Sequence, residues 1–313
     1  MREGEPRFEM GISRHAPKPK KGVESDIRKE EIDKDQAREA VGPKAQELLS
    51  RLNEAPVGTV MALEPSNVIR AKQTRDLLAE KLGEMLEGRR DISLVSLGET
   101  EEGAAKVLGE VRANREMKYI IADLRPTWLL GSKENEPMVA AANKWNNRFG
   151  GNENLRGSLW ASHKSERPRL RQKLLETGID VSLEELNPAE FKHTPEEAAL
   201  RQIRWMQAMR KIGERYFPNR SLILEGISHN IRADFASLAL MGEDISLESI
   251  DRILEGKFRE PFARSSTTFL ADGSVEVTNR GMTMKYDRDE FENLLKRIRQ
   301  NSEIRKKEWL EEG

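Results

Sequence analysis

The sequence contains no cysteine. That excludes disulfides, a thiolate nucleophile and any cysteine-ligated zinc or iron–sulfur centre. It also lacks an excess of either charge: 53 Lys and Arg against 54 Asp and Glu leave a formal net charge of −1. Such a chain has no overall field for gripping a nucleic-acid backbone, so nucleic acid is not an expected partner. No apolar run approaches the roughly 20 residues of a membrane span. The opening MREGEPRFEM has no apolar core of a secretory signal. A soluble cytoplasmic protein without a membrane partner is therefore expected. Aromatic residues are scarce at 5%, whereas charged residues reach 34%, so a core has to come from clustered aliphatic segments. For 313 residues, one large α/β domain carrying an insertion is the natural expectation.

What is present reads as strands alternating with helices. Phe8, Met10 and Ile12 alternate with Glu9, Gly11 and Ser13, the period of an extended strand over 6–13. Ala37, Val41, Ala45, Leu48, Leu49 and Leu52 share one face of a helix over 35–52. The beat repeats with a strand at 57–63, a helix at 67–86 capped by Ser66, a strand at 92–97 and a helix at 101–111. It is lost between 114 and 193, where loop signals and Trp128, Trp145 and Trp160 fall, although 119–122 has the character of a short strand. That stretch reads as an inserted cap with its own small core. Thr194-Pro195-Glu196-Glu197 is a capping box that opens a helix to about residue 216. A strand at 221–227, a helix to about 241, a hairpin of 267–270 with 275–278 and a charged C-terminal helix over 287–313 complete the chain. The expected fold is a three-layer α/β/α sandwich around a mainly parallel sheet, with the cap inserted at 114–193 in one domain spanning 1–313.

In parallel α/β sheets, ligands bind beyond the carboxyl ends of the strands. Arg14 and His15 follow the first strand directly, and Ser228 and His229 follow the strand at 221–227. Arg70 lies in the first turn of the helix after the second strand. Two imidazoles and two guanidiniums at one sheet edge suit a phosphoryl group. Arginine offers phosphate a planar fork of donors, and a neutral imidazole can attack phosphorus while another binds an equatorial oxygen.

Three segments carry a resemblance. Ser13-Arg14-His15-Ala16, the run from Glu64 through Ser66 and Arg70 to Thr74, and Gly226-Ile227-Ser228-His229 resemble the motifs of the histidine phosphatase (phosphoglycerate-mutase-like) superfamily. The resemblance covers roughly residues 6–111 and 194–280. It implies His15 as the nucleophile that becomes a phosphohistidine, with Arg14, Arg70 and His229 on the phosphoryl oxygens, and it implies no metal and no cofactor. Ala16 and Asn230 depart from the glycine common after each histidine. One branch of the family places its general acid, a Glu, in the loop after the third strand, where Glu99 is the first choice here and Glu101 the second. The other branch uses an Asp after the second His, a position that Asn230 occupies and cannot serve.

Other charged features have plainer readings. Lys18, Lys20 and Lys21 read as a solvated loop, and Lys164, Arg167, Arg169, Arg171 and Lys173 as a solvated face. His163 and His193 have no paired spacing that would make a metal site. The leading functional expectation is a phosphomonoester hydrolase acting through phosphohistidine on a small or medium phosphorylated ligand. A phosphomutase of the same superfamily and a catalytically weak phospho-ligand or protein-binding module are the alternatives. The oligomeric state is open.

Overall fold

The computed structural model describes residues 6–16, 32–127, 130, 166–176, 195–228, 230–254 and 263–311. The described elements are β1 (Pro6–Arg14), α1 (Lys34–Glu54), β2 (Val60–Pro65), α2 (Ile69–Met85), β3 (Ile92–Val95), α3 (Glu101–Ala113), β4 (Lys118–Ile121), α4 (Arg167–Glu176), α5 (Pro195–Tyr216), β5 (Leu222–Ser228), α6 (Asn230–Leu240), α7 (Leu247–Leu254), β6 (Arg264–Leu270), β7 (Val275–Asn279), β8 (Met282–Tyr286) and α8 (Arg288–Glu311).

All eight strands join one sheet in the order β3-β4-β2-β5-β1-β6-β7-β8. The first five are mutually parallel, and β6, β7 and β8 continue the sheet antiparallel. The register aligns three carboxyl ends. Arg14 on β1 is level with Ser228 on β5, and Pro65 on β2 is level with Ile227. One face of the sheet is covered by α1 and α2, whose Val41, Ala45, Leu48, Leu52, Leu78 and Leu82 form a buried cluster with Met61, Leu63, Ile120, Ile223 and Ile227. The opposite face meets α5. Trp205 lies against Gly226, and Phe8 and Leu222 crowd Gly213 so closely that a Cβ there would force them apart. The result is the expected three-layer α/β arrangement.

Several boundaries differ from the sequence reading for local reasons. The second strand starts at Val60 rather than 57, because Pro56 to Thr59 form a turn in which Gly58 takes φ +81°. Val57 is consequently 71% exposed. The N-cap of α2 is Val68, which makes no side-chain cap bond, and not Ser66, which lies at the end of β2. β4 lies inside the stretch read as the cap, yet it pairs with both β3 and β2. β8 was not read from the sequence, although Met282, Met284 and Tyr286 alternate with Thr283 and Lys285; in the structure neither of its faces is buried. The capping box expected at Thr194 lies partly outside the described residues, although the helix does open at Pro195.

The chain divides into two compact units. The first, Met1–Gly131 with Arg204–His229 and Glu260–Arg288, holds every strand of the sheet. The second comprises Ser132–Ile203, Asn230–Arg259 and Asp289–Gly313. Within it, Lys173 of α4 pairs with Asp251 of α7, and Lys306 of α8 lies 3.6 Å from Glu197 at the start of α5. No helix among the described residues is long and apolar enough to cross a membrane.

Candidate active site

The carboxyl edge of the sheet brings together Arg14, His15 and the turn that bears Arg70. One step past the end of β1, the His15 N–H donates to the Ser228 carbonyl at 3.2 Å. The His15 side chain is buried, with its Nδ1 2.6 Å from the Ala16 carbonyl oxygen. A carbonyl has no proton to give, so Nδ1 is the donor, and in a neutral imidazole that leaves the lone pair on Nε2. That is the tautomer an attacking imidazole needs. Arg14, half-buried, is anchored through its N–H to the Ala263 carbonyl at 3.2 Å.

The second motif docks on the first through one hydroxyl. The Ala16 N–H donates to Thr74 Oγ1 at 3.0 Å, and Thr74 Oγ1–H donates to the Arg70 carbonyl at 2.6 Å. Thr74 thus ties the residue after His15 to the first turn of α2, where Arg70 is buried. This turn contains no acidic residue, so the partial positive charge at the helix start is not cancelled locally. Ser66, at the end of β2, reaches the third motif: its N–H donates to the Ile227 carbonyl at 2.8 Å. Its own hydroxyl is buried without a hydrogen-bond partner among the described residues. Three segments far apart in sequence are therefore stitched together by backbone and threonine bonds.

His229 lies outside the described residues, as do Lys18, Lys20, Lys21, Trp128, Trp145, Trp160, His163, Lys164 and His193. Asn230 opens α6. Glu99 and Glu101 are described, and both are exposed. Glu99 sits in the loop between β3 and α3, and Glu101 is the first residue of α3, after Thr100, which caps the helix by accepting from the Gly103 N–H at 3.1 Å. β4, β2 and β5 stand between β3 and β1. Four strand spacings are about 19 Å, so the sheet alone does not bring Glu99 to His15.

Two charged groups escaped the sequence reading. Glu64, near the end of β2, is buried against α5 and accepts from Trp205 Nε1 at 2.7 Å. Burial raises its pKa to about 7, with the Trp205 hydrogen bond pulling the other way. Glu225 on β5 is fully buried. Its Oε1 lies 3.2 Å from Lys44 Nζ, its Oε2 2.7 Å from Arg264 Nε, and it accepts the Ser13 hydroxyl. The contacts continue from Arg264 to Glu9 at 2.8 Å, Glu9 to Arg51 at 2.9 Å, Arg51 to Glu47 at 3.1 Å and Glu47 back to Lys44 at 3.1 Å. Six alternating charges close into a ring across α1, β1, β5 and β6. Gly11 leaves room for it, since a Cβ there would run into the Arg264 guanidinium and the Glu225 carboxylate. Burial alone would raise the Glu225 pKa, but Lys44 and then Arg264, with the Ser13 and Arg264 hydrogen bonds, hold it at about 2. A visible signal existed: Glu225 is the single charge in Leu222–Ser228, a strand buried throughout.

Among the described residues, no group of three or more His, Asp or Glu is placed to hold a metal ion. At this edge the His15 imidazole lies beside the backbone of Ala16, which Thr74 joins to the turn bearing Arg70. No family model matches the chain. No curated protein resembles it closely enough to count as a match. Among solved structures, a mycobacterial protein described as hydrolase 1 is similar at 10% identity and a TM-score of 0.42, over 88% of this chain and 99% of that one. A second, described as mycobacterial hydrolase 2, is similar at 12% identity and a TM-score of 0.38, over 96% of this chain and 99% of that one. The native structure of a mycobacterial glucosyl-3-phosphoglycerate phosphatase is similar at 12% identity and a TM-score of 0.38, over 83% of this chain and 89% of that one.

Proposed function

We propose that this chain is a phosphomonoester hydrolase that works through a phosphohistidine on His15. The observation that carries the reading is the hydrogen bond between His15 Nδ1 and the Ala16 carbonyl, made where Thr74 joins Ala16 to the turn bearing Arg70. In a neutral imidazole this bond leaves the lone pair on Nε2, next to the turn of an arginine suited to phosphate oxygens. In this mechanism Nε2 attacks phosphorus, and the bond from phosphorus to the leaving oxygen breaks. Arg14, Arg70 and His229 bind the non-bridging oxygens and take up the developing charge. A carboxylic acid gives its proton to the leaving alcohol, then as carboxylate takes one from the water that attacks the phosphohistidine. Inorganic phosphate departs and free His15 is restored.

Glu99 is assigned as that acid, with Glu101 in reserve. A second reading of the proton donor rests on Glu64, which is on β2, two strand positions from β1, and is held near neutrality by burial. A phosphomutase differs only in returning the phosphoryl group to an organic acceptor instead of water. A binding module without turnover forms no covalent intermediate. Rapid quench with a 32P-labelled phosphomonoester is expected to trap an acid-labile, base-stable phosphoprotein. His15→Ala is expected to abolish both label and turnover. Label or turnover retained in that variant refutes the mechanism.

A further inference from the structure

The loop that presents Glu99 is held at both flanks, and on one of them Asp123 makes most of the bonds, with the Gly98 N–H also donating to Ser96 Oγ at 3.2 Å. Asp123, just past β4, receives three donors from the β3–α3 loop. The Leu97 N–H donates to its Oδ1 at 2.7 Å, the Gly98 N–H to its Oδ2 at 3.1 Å, and the Ser96 hydroxyl also to Oδ2. Gly98 takes φ +70°, a conformation that lets consecutive N–H groups face one acceptor and that other residues adopt only at a cost. On the far side, Thr100 caps α3. Between the two pins stands Glu99, which has no hydrogen-bond or ion-pair partner among the described residues. The clasp ties Leu97 and Gly98 to the residue just past β4, the neighbour of β3 on its β1 side.

We propose that Asp123 is a positioning residue for the leaving-group acid: its carboxylate clasps Ser96, Leu97 and Gly98 and holds Glu99 on the phosphate-site side of β3. This rests on the assignment of Glu99 as the acid. Two backbone N–H groups and a hydroxyl on one carboxylate are charge-assisted bonds, stronger than neutral ones. Their loss frees a loop in which a displacement of about 1 Å can cost ~10²-fold in rate.

The experiment compares an alkyl phosphate, whose leaving oxygen needs a proton, with a nitrophenyl phosphate, which leaves as a stable anion. Glu99→Gln sets the reference and should slow the alkyl ester selectively. Asp123→Ala should then lower kcat for the alkyl ester by about 10- to 100-fold and spare the nitrophenyl ester, with the alkaline limb of the alkyl pH profile flattened. Asp123→Asn, which keeps one carbonyl acceptor, should fall between Ala and the parent, and it covers the case in which Ala does not fold. In the Glu99→Gln background neither change at Asp123 should have a further effect. Equal slowing of both esters, or additivity with Glu99→Gln, overturns the positioning role and leaves Glu99 as the acid. Absence of alkyl selectivity in Glu99→Gln itself overturns the acid assignment, and the positioning proposal with it.

Discussion

Glu64 and Glu225 lie on neighbouring strands, one register step apart, and the protein shifts their protons in opposite directions. Leu63 pairs with Glu225 and Glu64 with Gly226, so the two carboxyls face opposite sides of the sheet. Glu225 faces the ring of cations, while Glu64 faces Trp205. A carboxyl whose pKa rises from 4.5 to about 7 on folding binds its proton more tightly in the native state. Its contribution to stability is full below pH 4.5 and is lost as the pH rises to about 7, a decline of about 3 kcal/mol. Glu64→Gln keeps an acceptor for Trp205 and removes the titration. Urea unfolding at pH 5 and pH 8 should show stability falling across that window in the parent and nearly level in the variant. An identical decline in both refutes the assignment. Glu225 has the opposite sign: its stabilisation is present above pH 4.5 and is lost as the pH falls toward 2.

Between elements, the six-charge ring makes a graded prediction because its members differ in exposure. Glu225 is enclosed, whereas the side chains of Arg51 and Glu47 are 37% and 38% exposed. Glu225→Gln leaves Lys44 and Arg264 without their shared carboxylate in a buried site, and removal of one partner from a buried pair costs ~3–5 kcal/mol. Arg51→Ala breaks bonds that water can replace and should cost at most about 1 kcal/mol. Urea midpoints for the two variants check the ordering, and equal costs would show that the ring does not act through burial. The ring joins α1 to β1, β5 and β6, and Ser13, one of its partners, immediately precedes Arg14 and His15. The same bonds that stabilise the sheet therefore fix the strand ends from which the site is built.

For the whole molecule, β4 decides what can be removed. Among the described residues, β3 pairs with no strand but β4. Arg220 donates to the carbonyls of Gly58, Val111, Asn114 and Met117, joining β5's approach to the segment that leads into β4. Beyond β4, Thr127 N–H donates to the Pro65 carbonyl at 3.0 Å and the Ser228 hydroxyl to that of Leu130 at 2.6 Å. Deletion of 114–193 removes β4, the Thr127 and Leu130 bonds and two of the four Arg220 acceptors, Asn114 and Met117, and should leave no folded sheet. Replacing 132–193 with a flexible Gly/Ser linker spares those bonds and should retain hydrolysis of nitrophenyl phosphate. Amide exchange in β2 and β5, with the turnover assay, separates the two variants. Comparable protection in both would show that the sheet does not depend on β4.

The sequence by itself determined the alternation of strands and helices, the three-layer class, and the stations of Arg14 and His15 at the end of β1 and of Arg70 in the first turn of α2. These follow from short-range rules: a period of two or 3.6 in apolar residues, and the fact that the residue after a parallel strand lies at its carboxyl edge. Only the tertiary structure decided which neighbours each side chain meets. β4 inserts between β3 and β2 and moves Glu99 a strand further out, and nothing in four residues of Lys118–Ile121 announces that place. Lys44, Glu225 and Arg264 look like scattered charges until the sheet brings them within 3.2 Å. Asp123 acquires a role only because Leu97 and Gly98, 26 and 25 residues earlier, turn their N–H groups toward it. Periodicity encodes which face of an element is buried. What faces it is set by strand order and register, which depend on packing of the whole chain.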